Sequence, residues 1–212
     1  MEIKKYKGNI IGVIGYSKIE GIKDFEVISF KDTIIDRMIY EIERRNLEVK
    51  DYKKKIKDSL KIVGLDIELE RSINTLSYSE KKLLQIAIEL LENPDTLIFI
   101  EPFRGLDLFN IKKLMRLFRK LIDKYNKTII FISDNSDILY KNTDYILVYK
   151  NNKLIKQGET KKVFEDVEFL KKNKINIPEI VDFTYLVKTK YNVKIDYHRD
   201  IRDIIKDIYK HV

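Results

Sequence analysis

Cysteine is absent from the 212 residues, which excludes disulfides and cysteine-ligated metal sites. Only two histidines are present, His198 and His211, and this argues against a histidine-rich metal centre or a histidine-centred triad. No apolar run approaches the roughly 18 residues that a membrane span requires, and the charged start MEIKKYKG lacks the apolar core of a signal peptide. No block of five or six like charges interrupts the chain, so a charged tail or arm is not expected. These absences point to a cytoplasmic protein, held peripherally at the cytoplasmic membrane if a partner carries it there.

What is present is enough chain for one well-buried domain with a small appendage, and much charge. Lysine and arginine number 42 against 34 acids, a formal net charge of +8. Lysine dispersed among Asn, Ile and Tyr reads first as a solvated surface. Nucleic acid or an anionic membrane face is the other use of such a balance.

The chain is organised around Asn74 to Asp107. Ser77, with Glu80 three residues on, is a capping-box start for a helix whose Leu83, Leu84, Ala87, Ile88 and Leu91 form a buried face. Asn93-Pro94 stops that helix, because Pro94 removes a backbone donor and pushes Asn93 out of the helical region. Thr96 to Ile100 is a nearly continuous apolar run, expected to be a central parallel strand covered on both faces. Glu101 falls where the strand ends, and ligands of open parallel sheets collect beyond the carboxyl ends of strands. Glu101 is thus either a catalytic carboxylate or a solvated loop residue.

Leu76-Ser77-Tyr78-Ser79-Glu80, Ile100-Glu101-Pro102 and Gly105-Leu106-Asp107 together resemble the signature, Walker B and D-loop regions of ATP-binding cassette (ABC) proteins. In that family the signature reads Leu-Ser-Gly-Gly-Gln, and the Walker B strand ends in Asp-Glu-Pro. The stretch from Leu60 to Ser77 is similar to the helical subdomain of importer-type cassettes, the energy-coupling-factor group for cobalt, nickel and vitamin uptake in particular. Asp144 to Phe164 resembles the family's close of the nucleotide-binding fold.

The resemblance implies an α/β protein: a truncated ABC-type P-loop NTPase fold, a mostly parallel sheet flanked by helices. The expected domain is 1–173, with a helical subdomain at about 32–92, followed by a C-terminal helical appendage at 174–212. Element by element, the sequence predicts two strands around Lys7-Gly8-Asn9, the second Ile10 to Ile14, and a strand-like run from Phe25 to Phe30. Helices are expected over 32–45, 47–63 with Gly64 as its left-handed cap, 111–124, 161–170, 179–190 and 200–211. A strand covers 127–133, and a hairpin turns at Asn151-Asn152.

The family's phosphate loop, G-x-x-x-x-G-K-[ST], cradles the β- and γ-phosphates with backbone amides and a lysine. Counted from Gly15, its second glycine, lysine and hydroxyl positions hold Glu20, Gly21 and Ile22. A glutamate there repels the phosphates, and a charge-assisted contact is lost. The Walker B aspartate that holds magnesium is Ile100, the switch histidine is Asp134, and the sensing glutamine has no counterpart near Phe30 or Lys31. Glu101, the family's general base, stands. Tyr78, Ser79 and Glu80 replace glycine, glycine and glutamine, adding bulk and negative charge.

The candidate site residues are therefore Glu101 as catalytic base or remnant, Gly15 and Ser77 for the degenerate phosphate loop and signature, and Asp107 and Asp134 beside them. No metal ligand and no cofactor are expected on this chain alone; ATP and magnesium follow if the family activity is retained. The expected function is a degenerate cassette that pairs with another cassette, as homo- or heterodimer, or with a transmembrane subunit. The alternatives are an active importer ATPase with an unconventional phosphate loop, and a basic nucleic-acid adaptor using helices such as Asp51 to Lys61. His198 is expected to be a surface or packing residue.

Overall fold

The computed structural model describes residues 6–16 and 33–211. The run Phe25 to Phe30, the strand before Lys7, and Glu20, Gly21 and Ile22 of the phosphate-loop reading lie outside the described residues. In chain order the elements are β1 (Ile10–Ile14), α1 (Ile34–Arg44), α2 (Tyr52–Val63), α3 (Tyr78–Glu89), β2 (Thr96–Ile100), α4 (Leu108–Tyr125) and β3 (Thr128–Ile132). They continue with α5 (Ser136–Asn142), β4 (Tyr145–Lys150), β5 (Lys153–Glu159), α6 (Thr160–Glu165), α7 (Val167–Asn173), α8 (Glu179–Lys190) and α9 (Ile201–His211). Two compact units emerge, Met1–Ile22 with Thr128–Val212, and Lys23–Lys127.

In the first unit β1 lies between β3 and β4, parallel to both, with Ile11 opposite Ile130 and Tyr145. β5 returns antiparallel to β4. The hairpin between them turns at Asn151 and Asn152, both left-handed at φ 50° and 59°, a conformation that asparagine tolerates and that matches strand twist. One face of β1, β3 and β4 buries Ile11, Val13, Ile130 and Leu147 with Tyr6. On the other face Gly12 makes room for a helix. A Cβ at Gly12 would come within 2.6 Å of Ile146 and 3.2 Å of Leu139 and Thr143, so its absence lets α5 pack close.

The chain after Asn173 packs on this unit. Val181, Ile195 and Ile204 are buried, Glu179 N–H donates to Asp137 at 2.9 Å, and Arg199 donates to the Thr143 carbonyl at 3.0 Å. His198 contacts Asp207 at 2.6 Å within the same segment.

In the second unit the helical starts follow local chemistry. Thr33 and Asp36 form a capping box on α1, and Asp51 caps α2 by accepting from Lys54 N–H at 3.0 Å. The expected helix over 47–63 therefore begins later, at Tyr52: Asn46 is left-handed at φ 52° and closes α1, and the chain stays irregular until the Asp51 cap. Gly64 is the left-handed cap, at φ 71°. Glu41, 2% exposed, sits among Arg37, Arg44 and Arg45; burial alone would raise its carboxyl pKa, and the guanidiniums hold it below the usual range. Arg45 also reaches Glu89 at 2.9 Å, which ties α1 to α3.

Asn93 ends the α3 segment outside the helical region, as expected, in the left-handed conformation at φ 52°. Three further expectations are corrected. The strand β2 buries Leu97 and Phe99 but leaves Ile98 37% exposed, so it is not covered on both faces. The helix expected over 161–170 is two helices, because Asp166 leaves the helical region and accepts from Phe169 N–H at 3.1 Å, capping α7. α4 starts at Leu108, three residues before the periodic apolar face, because Asp107 caps it.

Two glycines separate backbone strain from steric conflict. Gly15 and Gly64 both have positive φ, 75° and 71°, but a Cβ at Gly15 would lie 2.2 Å from the Tyr149 carbonyl oxygen, whereas none meets anything at Gly64. Gly64→Ala is expected to cost about 1 kcal/mol from the left-handed backbone alone, and Gly15→Ala at least twice that, roughly 2–4 kcal/mol, because backbone must move. Chemical denaturation of both variants checks the order; equal losses would contradict it.

Candidate functional site

The candidate residues fall into two sets, one in each unit. In the first, Gly15 ends β1 in a left-handed turn pinned against Tyr149, whose ring meets Tyr16 edge-on with centroids 5.0 Å apart. Asp134 follows β3, and its carboxylate accepts from the Gly15 N–H at 3.4 Å, a long bond. The first backbone amide of the turn thus faces an internal carboxylate. A phosphate arriving at that amide would meet like charge.

In the second unit Ser77 caps α3 in the reciprocal way its spacing predicts. Its hydroxyl accepts from Glu80 N–H at 3.3 Å, and the Glu80 carboxylate accepts from Ser77 N–H at 2.8 Å. Those bonds from Ser77, helped by Arg71 at 3.4 Å, hold the Glu80 carboxyl below its usual pKa. A helix amino-terminus favours an anion, and here the chain supplies it.

Tyr78 stands where the family has the first glycine of its signature. Its hydroxyl donates to the Arg104 carbonyl at 3.0 Å, and its ring lies over the Lys82 ammonium, 5.1 Å from the centroid. A side-chain carbon on Gly105 would come within 3.1 Å of the same ring, so the glycine lets the loop after β2 lie flat against Tyr78. The ring bridges the start of α3 and that loop.

Lys82 is the residue the sequence reading missed. It is 1% exposed, an uncommon place for a lysine. Burial pushes its pKa down to about 8, the Arg104 guanidinium adds to that, and the Glu101 carboxylate opposes it. A signal existed in the sequence: Tyr78, Lys82 and Ile86 recur every four residues, and Ile86 is fully buried. The expected face from Leu83 to Leu91 omitted this stripe.

Glu101 leaves β2 at φ 45°, a left-handed backbone that costs a non-glycine residue about 1–2 kcal/mol. Arg104 N–H closes the turn on the Glu101 carbonyl at 3.2 Å. Strain of this kind persists only where surroundings fix it, and the Tyr78–Arg104 bond and the loop packed on the Tyr78 ring do so here. Asp107, the last candidate, is spent on structure: its carboxylate accepts from the backbone and side-chain amides of Asn110 at 2.8 and 3.1 Å.

Magnesium does not fit the end of β2. Ile100 offers no side-chain oxygen where the family has its metal-holding aspartate. Among the described residues no three His, Asp or Glu side chains gather to hold a metal ion. The Gly15 amide faces the Asp134 carboxylate, and the Glu80 carboxylate takes the Ser77 amide at the start of α3.

No protein-family model matches the chain. It is 30% identical over 162 residues to the energy-coupling factor transporter ATP-binding protein EcfA2 of Mycoplasmopsis synoviae, covering 76% of this chain and 52% of the relative. It is 27% identical over 210 residues to the protein EcfA3, of the same description, from Oenococcus oeni, covering 98% and 69%. The chain spans about half to two-thirds of the length of the curated relatives it matches. Among solved structures it matches cbiO1 of Clostridium perfringens, part of the ABC transporter complex cbiONQ, with a TM-score of 0.64 at 20% identity, covering 84% of this chain and 88% of that one.

Tyr78→Phe, which removes only the bond to the Arg104 carbonyl, is expected to cost about 0.5–1 kcal/mol in urea denaturation. Tyr78→Gly, which restores the family's residue but strips the ring from Lys82 and Gly105, is expected to cost more, roughly 2 kcal/mol. A neutral Tyr78→Gly would show that the ring is not a bridge.

Proposed function

Since this chain is a homologue of the ATP-binding proteins of ABC transporters, energy-coupling factor transporters included, and shares the ABC ATPase fold, we propose that it is a non-hydrolysing cassette. Its role is to pair with another cassette or a membrane subunit, and such a partner holds it at the cytoplasmic face of a membrane. The observation that carries this reading is that internal charges stand where a nucleotide and its metal would bring theirs. The buried Lys82 ammonium feels the charge of Glu101, Asp134 faces the Gly15 amide, and Glu80 occupies the α3 terminus.

Each member of the set alone is tolerable in an active enzyme. Together they remove the cradle, the metal and the space. A base without a positioned water, phosphate and metal has nothing to activate, so Glu101 has lost the chemistry of the family while keeping its place. Pairing does not need turnover. The strained turn at Glu101, the Asp107 cap and the Tyr78 bridge preserve the shape of the loop through Gly105, which is the surface family members present to a second cassette.

The retained Glu101 favours one competing reading, an ATPase with an unconventional cradle. Calorimetric titration of the purified chain with MgATP separates the two. The expected result is no saturable heat up to millimolar nucleotide and no hydrolysis above a Glu101→Gln control. Saturable binding well below millimolar, with turnover lost in Glu101→Gln, would overturn the proposal in favour of the ATPase.

A further inference from the structure

Cations are not treated alike along this chain. Arg37, Arg44 and Arg45 gather on Glu41, and in the other unit Lys206 and Lys210 of α9 each pair with the aspartate three residues before them, at 3.0 and 3.1 Å. α4 differs. It carries six cations against the single acid Asp123, and Lys112, Arg116, Lys120 and Lys124 follow one another at four-residue spacing. Like charges at that spacing oppose helix formation. Yet among the described residues none of Lys112, Lys113, Arg116 and Lys124 has a carboxylate partner.

Packing turns that row outward. α4 buries Leu114, Leu117, Phe118, Leu121 and Ile122 on one side, and Lys112, Lys113, Arg116 and Lys124 are exposed on the other. Two apolar residues begin the same outward side. Leu108, four residues before Lys112, is 76% exposed, and Phe109, four before Lys113, is 69% exposed. Within the same unit Lys120 donates to the Ile62 carbonyl at 3.1 Å, which brings the end of α2 to α4. Opposite its buried Ile56, Leu60 and Val63, α2 exposes Lys54, Lys57 and Lys61, again without a carboxylate partner among the described residues.

We propose that the outward side of α4, extended by the lysine row of α2, is a docking surface for an anionic lipid bilayer. The cations meet the headgroup charges, and Leu108 and Phe109 enter the boundary between headgroups and acyl chains. This inference rests on the reading of the chain as a cassette held at a membrane face, and adds that the chain itself touches lipid. Attraction of basic side chains to anionic lipid and burial of apolar area are the two terms that hold a protein on a membrane surface, and α4 presents both side by side. A nucleic acid would satisfy the cations as well. Its phosphate backbone is bound through charge, however, and leaves Leu108 in water, where a bilayer buries it.

The test is flotation of the whole purified chain, without nucleotide, on vesicles of phosphatidylcholine alone and of phosphatidylcholine mixed with phosphatidylserine. Binding is expected on the mixed vesicles and not on the neutral ones, and it falls as salt rises. Lys112→Gln, Lys113→Gln and Arg116→Gln together lower the partition coefficient about fivefold per cation, on the order of a hundredfold in all. Arg202→Gln, Lys206→Gln and Lys210→Gln, which remove the same net charge from α9, leave it within about threefold, because charges away from the contact are screened. Leu108→Ser with Phe109→Ser lowers it about tenfold and leaves the salt dependence unchanged.

No preference for the mixed vesicles, or equal losses from the α4 and α9 triple variants, would overturn the proposal. So would a labelled DNA duplex that binds more tightly than the mixed vesicles, depends on the three α4 cations and is indifferent to Leu108→Ser with Phe109→Ser; the surface would then be a nucleic-acid site. Should the α4 triple variant fail to fold, Lys112→Gln and Arg116→Gln decide singly at about fivefold each, and no loss from either overturns the proposal. The two readings fail separately. ATP turnover would sink the non-hydrolysing cassette and leave the partition coefficients as they are, whereas failure on vesicles without heat from MgATP would leave that cassette standing, its membrane contact made by a partner alone.

Discussion

The burial of Lys82 is the constraint on which the second unit's candidate site depends. Burying a lysine is unfavourable unless something opposes the loss of hydration, and the arrangement around it reads as a set of responses to that cost. The Tyr78 ring lies over the ammonium, the Arg104 carbonyl fixes the tyrosine, Gly105 yields the space, and the Glu101 backbone accepts a left-handed turn at the strand end. Taking any one of them away exposes or unpairs the charge.

The same logic recurs in the first unit with the opposite sign. Asp134 faces the amide of Gly15, and Gly15 is held so closely to Tyr149 that no side chain fits. At the start of α3, Glu80 takes the Ser77 amide. Cassettes that turn over ATP leave such positions for the nucleotide and its metal to complete. In this chain internal carboxylates accept from those amides, and the Asp107 cap and the Tyr78–Arg104 bond hold the loop through Gly105. On the proposed non-hydrolysing reading, loss of catalysis and retention of fold have one physical cause.

Much of this was legible in the sequence wherever a feature is local. Ser77 with Glu80, Gly64 and Asn151-Asn152 each announce their backbone through their own chemistry, and the structure places all of them as read. The order of Ser77, Glu101 and Asp107 pointed to the family fold, which the solved relatives share. What the sequence concealed depends on partners distant along the chain. Lys82 looks like one more surface lysine until the four-residue stripe with Ile86 is noticed, and its neighbour Arg104 is over twenty residues on. Asp166 reads as a helical residue because nothing nearby shows that it will cap α7 instead. Ile98 sits in an apolar run, yet one side of β2 stays open.

The account's central claim is that Lys82 is a buried ammonium whose surroundings, and not bulk water, set its titration. The most direct measurement is an NMR titration of the Lys82 side chain, followed through its ε-carbon, in the presence and absence of magnesium. The account predicts a midpoint near 8, far below the ordinary 10.5, and the same midpoint with magnesium present. A midpoint near the ordinary value would mean that the lysine is hydrated, and one that falls when magnesium is added would mean that a metal competes for Glu101. Either result would contradict the account.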